Sequence, residues 1–230
     1  MKIQTVLSSF ASLIYPELCV ICEEPLVENE KFICFACFLK LPKTNYHLIP
    51  ENKAIERFAG KVSLVKASSY LYYNKEGIAQ KLIAEIKYKG NMNLGEWIGA
   101  YIAKDMISSG FFQGIDYLVP VPLHRSKEKK RGFNQAEKIA EGIAQATKIP
   151  LVTNNIFRGK ANTSQTRKGV FDRWKNTQNL FQMKNPELFN KKYILLIDDV
   201  LTTGSTLEAL VQSILKSQEV KISILTLAIT

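Results

Sequence analysis

No apolar run in the 230 residues approaches the ~20 needed to span a bilayer, which removes a transmembrane helix as the organising element. Internal repeats and low-complexity tracts are also missing, so a solenoid or an extended disordered tail is not the architecture. Histidine is scarce: His47 and His124 are the two present. His47 could replace one metal ligand of the cysteine-rich segment, but a lone histidine ten residues beyond it reads as a surface residue, and His124 reads as a hydrogen-bonded loop residue. No general base stands out. Acidic residues are in short supply, with 21 Asp and Glu against 31 Lys and Arg, a net charge of +10. That excess favours anionic partners such as phosphates, nucleic acid or a membrane surface. Otherwise the composition, 46% hydrophobic and 23% charged, is that of a soluble globular protein with one good core and room for a small accessory module.

The beginning, "MKIQTVLSSFASLIYP", has a lysine ahead of an apolar stretch but no convincing small-residue cleavage site, so it does not read as a signal peptide. Ile3, Val6, Leu7, Phe10, Leu13 and Ile14 share one helical face, and Pro16 stops the pattern. The expectation is a short amphipathic helix docking on its own protein, with membrane docking as the rival. A cytoplasmic location goes with this reading.

Cysteine is confined to the first 37 residues, as Cys19, Cys22, Cys34 and Cys37 in "CVIC" and "CFAC". Two C-x-x-C pairs can place four thiolates tetrahedrally around one Zn²⁺, and four protein ligands leave no open position, so the metal is expected to be structural. Two disulfides are the rival and require an oxidising compartment that nothing else in the sequence suggests. A redox C-x-x-C is the weaker alternative, since neither pair opens a clear strand–helix unit. Composition then changes, which predicts an amino-terminal module over 1–53 and a second domain over 54–230.

That domain alternates. "KASSYLYY" (66–73) reads as a strand, residues 78–86 and 94–102 as helical faces, "YLVPVP" (117–122) as a strand and 136–144 as a helix. Tyr193 to Ile197 is a strand, residues 206–217 a helix, and "VKISILTLAI" a nearly buried strand. Strands alternating with helices imply an α/β fold with a doubly wound, mostly parallel sheet, whose ligands collect beyond the carboxyl ends of the strands. Asp198 and Asp199 are expected there.

The loop "DDVLTTGST" then carries the chemistry. Gly204 lets the backbone close on a ligand, and Thr202, Thr203, Ser205 and Thr206 add hydroxyl donors next to the free N–H groups at a helix start, a cradle for a phosphate monoester. The spacing and lysine of a Walker A loop are absent. Two acids before a phosphate cradle suit vicinal hydroxyls, so the combination describes a ribose 5-phosphate.

"ILLIDDVLTTGST" resembles, position for position, the signature of type I phosphoribosyltransferases. The resemblance implies that Asp198 and Asp199 hold the ribose 2- and 3-hydroxyls of phosphoribosyl pyrophosphate and that Thr202 to Thr206 hold its 5-phosphate. Together with "IKYKG" (86–90), "VPVPLHRSKEKKRGFNQAEKIA" (119–140) and "RGKANTSQTRKGVFDRWKN" (158–176), the chain resembles the ComF family, which joins a zinc finger to this transferase-like domain. ComF-type proteins act in natural transformation, the uptake of DNA. Lys168 and Gly169 stand where that family has leucine and serine, near Gln165 and Arg173. By the same resemblance the turn Val121, Pro122, Leu123, with Arg125 and Arg131, takes the pyrophosphate, Mg²⁺ bridges ribose and pyrophosphate, and the segment carrying Arg173 closes as a hood. Asp198 and Asp199 are the residues assigned to any catalytic step, with Asp199 steadying the charge that develops on the ring.

A second cluster is basic. Lys127, Lys129, Lys130 and Arg131 precede Phe133, and Lys87 and Lys89 flank Tyr88. Charges for phosphates beside a ring for stacking suit single-stranded DNA, although a solvated helix start has the same composition. Three functions follow: a ComF-type protein that binds phosphoribosyl pyrophosphate and single-stranded DNA alongside other DNA-uptake proteins; a metabolic transferase with a small acceptor; or a non-catalytic nucleic-acid adaptor with a sugar-phosphate sensor.

Overall fold

A computed structural model describes residues 16–159 and 180–230. The amphipathic face over Ile3 to Ile14 and the segment with Gln165, Lys168, Gly169 and Arg173 lie outside the described residues. Along the chain, α1 (Phe35–Leu39) closes the cysteine-rich segment and α2 (Lys53–Glu56) starts on Asn52, whose side-chain oxygen accepts from the amides of Ala54 and Ile55. Then come β1 (Lys66–Tyr72), α3 (Ile78–Tyr88), α4 (Met92–Met106), β2 (Tyr117–Pro120), α5 (Arg125–Arg131) and α6 (Gln135–Thr147). A two-stranded pair, β3 (Ile156–Arg158) with β4 (Phe181–Met183), precedes β5 (Tyr193–Leu201), α7 (Ser205–Ile214) and β6 (Lys221–Ile229).

The main sheet has the order β1-β6-β5-β2, and every neighbouring pair is parallel. β6 lies between β1 and β5, and its residues from Ile222 to Ile229 are all buried, as the mostly apolar run, broken only by Ser223 and Thr226, suits a strand covered on both faces. Side chains alternate across β5: Leu195 and Ile197 join one core with α3, α4 and α6, whereas Ile194 and Leu196 join the other with α7 and Phe58. α4 and α6 pack backbone to backbone, because a Cβ on Gly99 would overlap the carbonyl oxygen of Ile139 and one on Gly142 that of Glu96.

Two strand ends differ from the sequence expectation, and both place the site. β2 stops at Pro120, two residues early, because Pro122 has no N–H to continue a ladder. β5 runs four residues further than expected, to Leu201, because β6 stays beside it with Asp198 opposite Thr226 and Leu201 opposite Ile229. From Asp198 onward, therefore, β5 has lost its β2 neighbour and opens one edge. Among the described residues no helix is long and apolar enough to cross a membrane.

The cysteine segment packs on the same core as α4. The Phe38 and Tyr101 rings meet edge to face at 4.7 Å, Phe32 meets Trp97 at 5.9 Å, and Lys81 donates to the Ile21 carbonyl at 2.7 Å.

Candidate functional site

Asp198 and Asp199 lie inside the paired part of β5, not beyond its end as the sequence suggested; what they lie beyond is the end of β2. The last bond on that side is the Val121 amide to the Ile197 carbonyl, 2.8 Å. The Asp199 amide donates to Asp198 Oδ1 at 2.8 Å. Burial, then the Asp199 charge, pushes the Asp198 carboxyl up to about 7, with Lys87 and Arg158 opposing. Asp199 has a direct partner: Lys87 Nζ, from the last turn of α3, is 2.8 Å from its Oδ2.

The loop after β5 is fixed at Gly204. Its φ of 79° is left-handed, and a Cβ would come within 3.1 Å of the Phe58 ring, so backbone conformation and packing both require glycine. Gly204 caps α7, and no side chain satisfies the helix's first amides in the usual capping manner. Thr203 Oγ1 and Ser205 Oγ are 3.1 Å apart, and both residues are exposed. Asp198, Val200 and Thr202 to Thr206 line a cavity of about 60 Å³. Asp198 and the hydroxyl loop thus share one small concavity, while Asp199, the next residue, turns to Lys87.

Of the turn Val121, Pro122, Leu123, less is free than three amides. Val121 is committed to Ile197 and proline has no N–H, leaving Leu123 as the one uncommitted among the described residues. Asn134 holds this turn: its Nδ2 donates to the Val121 carbonyl at 2.9 Å while its Oδ1 accepts from the Ala136 amide at 3.1 Å, capping α6. Pro122, Leu123, Arg125, Asn134, Glu137 and Arg158 contribute to a cavity of about 220 Å³. Burial, then the charge of Glu141, pushes the Glu137 carboxyl up. Arg125 is beside the turn as expected. Arg131 is not: it lies on the far side of α5. His124 is the N-cap of α5, accepting from the Ser126 amide at 3.3 Å through Nδ1, the hydrogen-bonded role its position suggested.

The two basic clusters do meet. Lys87, Tyr88, Lys89, Lys127, Lys130 and Arg131 line one groove of about 410 Å³ between the end of α3 and α5. Lys129 faces a different cavity, with His124 and Arg158. Phe133 is a correction: at 8% exposure it belongs to the core and presents no face to a base. Gly132 ends α5, and the chain then turns its aromatic residue inward. The exposed ring at this groove is that of Tyr88, 76% exposed, with the Arg131 guanidinium 5.7 Å from its centroid. Its signal in the sequence was a tyrosine between two lysines at a helix end. Glu137 and Asn134 had no such signal, because only the fold brings α6 under the turn.

The thiols of Cys19, Cys22, Cys34 and Cys37 converge, all four sulfur atoms within 4.8 Å of one another, and none is in a disulfide. Cys22 Sγ and Cys34 Sγ are 3.6 Å apart, close to the roughly 3.8 Å edge of a Zn–S tetrahedron. Burial raises the Cys19 thiol, but backbone N–H groups of Cys22, Cys34 and Ile21 outweigh it and lower it to about 7. The donor set is therefore compatible with structural zinc. His47 takes no part in it.

Comparison with known proteins agrees with this arrangement. The family described as "Phosphoribosyl transferase domain" matches residues 101–229, which include the β2 turn, the acid pair and the hydroxyl loop. Competence protein ComFC of Bacillus subtilis (strain 168) is 27% identical over 219 residues, covering 88% of this chain and 86% of that protein. DNA utilization protein YhgH of Escherichia coli (strain K12) is 23% identical over 220 residues, 89% of this chain and 93% of the relative. Competence protein F of Haemophilus influenzae is 34% identical over 91 residues, 39% of this chain and 40% of that protein. The chain belongs to the phosphoribosyltransferase-domain family and is of its ComF type.

Proposed function

We propose that this protein binds phosphoribosyl pyrophosphate at the end of β5, holds single-stranded DNA in the neighbouring basic groove, and serves in DNA uptake. The concavity that Asp198 shares with the Gly204 loop, with Asp199 the next residue of the strand, carries the reading. Asp198 and Asp199 accept the protons of the ribose diol, and residues 202–206 give hydroxyl and amide donors to the 5-phosphate. The pyrophosphate lies toward Leu123 and Arg125, with Arg158 replacing Arg131 in that role because it lines the same cavity. The oxygen donors of the acid pair suit Mg²⁺, which when bound would supply countercharge to the leaving group. In this reading Asp199 steadies positive charge on the ring. Lys87, Lys127, Lys130 and Arg131 contact phosphates of the strand while Tyr88 offers its ring to a base. The names of the relatives, competence and DNA-utilization proteins, favour this over a purely metabolic role. Residues 1–53 serve as the zinc-holding accessory module, and unpaired thiols in that module suit a cytoplasmic setting.

Isothermal titration with phosphoribosyl pyrophosphate and Mg²⁺ tests the central claim; saturable binding with one site is expected, and no heat at any concentration overturns it. Pyrophosphate release assays with purine, pyrimidine and DNA acceptors then decide between transferase and sensor.

A further inference from the structure

Lys87 belongs to two places at once. Its Nζ is 2.8 Å from Asp199 Oδ2, and the same side chain lines the groove with Lys127, Lys130 and Arg131. The pair is mostly enclosed, with side-chain exposures of 18% for Lys87 and 17% for Asp199. Opening such a pair without a replacement leaves an uncompensated charge on each side, which is costly. The other groove cations differ: Lys89, itself 69% exposed, is paired with Glu85 at 2.6 Å, and Lys127 and Lys130 have no ion-pair partner among the described residues. Lys87 is therefore the groove cation whose availability depends on the sugar site.

We infer that Lys87 couples the two sites, so that a phosphodiester strand in the groove and a sugar pyrophosphate at the acid pair each strengthen binding of the other. The inference rests on the proposed function above. A strand phosphate draws Lys87 toward the groove and leaves Asp199 without its cation. Ribose hydroxyl donors can then satisfy that carboxylate. In the reverse order, a diol on Asp199 frees Lys87 for a phosphate. Whichever ligand arrives first bears the cost of opening the pair, and the second meets a partner already released. Linkage makes the effect reciprocal. Repulsion between the two anionic ligands opposes this but does not require Lys87, so removing the lysine isolates the coupling.

The test measures binding of a fluorescently labelled oligothymidylate to the full chain at fixed ionic strength, with and without phosphoribosyl pyrophosphate and Mg²⁺. In the wild type the strand should bind about 5-fold or more tightly when the sugar is present. Lys87→Ala should weaken the strand somewhat and bring the ratio to one or below. Lys130→Ala should weaken the strand and keep the ratio. Asp199→Asn needs no sugar: with Lys87 released, the strand alone should bind several-fold more tightly than to wild type. A wild-type ratio of one, a ratio retained in Lys87→Ala, or unchanged strand affinity in Asp199→Asn each overturns the coupling. If titration finds no sugar binding, the proposed function fails, and the Asp199→Asn measurement still reports on the Lys87 pair by itself. If the wild type binds no strand, both ideas fall.

Discussion

The two candidate sites of this protein are built in opposite ways. In the cysteine segment, short turns tied by single backbone bonds, such as Val20 to Phe32 and Leu26 to Glu17, and a five-residue helix surround four thiols. At the end of β5, two carboxylates and a hydroxyl loop hang from a nine-residue strand fixed between neighbours and a helix with a buried face. Four clustered thiolates repel one another without a cation, so the first site is expected to depend on a metal for its shape, whereas the second is expected to keep its shape without a ligand. Removing the ligand therefore should unfold one and leave the other intact.

The strongest way to break this contrast is to take the metal away. Cys19→Ser, or a strong chelator, should cost the module stability on the order of several kcal/mol. Residues 16–41 should become protease-sensitive and zinc content should fall from stoichiometric to trace, as mass spectrometry and metal analysis would record. Phe32 and Phe38 would then lose their seats on Trp97 and Tyr101, so some loss should reach α4. A module that stays protease-resistant without metal would erase the difference between the sites.

At the second site the ligand residues should be separable from the fold. Asp198→Ala with Asp199→Ala should weaken phosphoribosyl pyrophosphate by about 100-fold or more, the loss of several hydrogen bonds to charged acceptors. Melting temperature should fall only by the cost of leaving Lys87 without its partner, because removing Asp198 relieves a poorly solvated charge near neutral pH. Normal affinity in this variant would remove the site assignment.

Between the two lies the frame itself. Gly204→Ala imposes a left-handed φ on alanine and crowds Phe58, so it should cost about 1–3 kcal/mol in chemical denaturation and weaken the sugar as well. Loss of binding with full stability would mean that the loop is shaped by its ligand after all.

How far each region could be read from sequence follows the same contrast. The cysteine spacing encodes its site almost directly, because all four ligands fall within nineteen residues from Cys19 to Cys37. The acid pair and Gly204 were legible too, being contiguous. Sequence periodicity could not reveal that β5 continues past its acids, since that depends on β6 remaining alongside to Ile229. Nor could it tell that Arg131 and Lys129 diverge on opposite sides of α5, or that Phe133 turns inward while Tyr88 stays out. A basic run reads the same in sequence whichever way its helix is rotated. The Lys87–Asp199 pair spans two distant segments, and only the sheet edge left open by β2 lets them meet.

The smallest expected effect is a proton. Asp198 titrates near 7 in the folded protein, against an ordinary 3.8. Its folded form binds a proton more readily than the unfolded chain, so its stabilising contribution is complete below 3.8 and is lost as pH rises through 7. Relative to wild type, Asp198→Asn should gain melting temperature progressively from pH 4 to pH 7, and the gain should level off above that. Sugar binding should move the other way, since the diol needs an ionised acceptor: the ionised fraction rises about 10-fold from pH 6 to pH 8, and affinity should follow. The substrate's own phosphate also titrates near 6, so the slope in Asp198→Asn supplies the reference. If both proteins show the same pH profile for binding and for melting, Asp198 is ionised throughout, and the preformed site holds its two charges without strain.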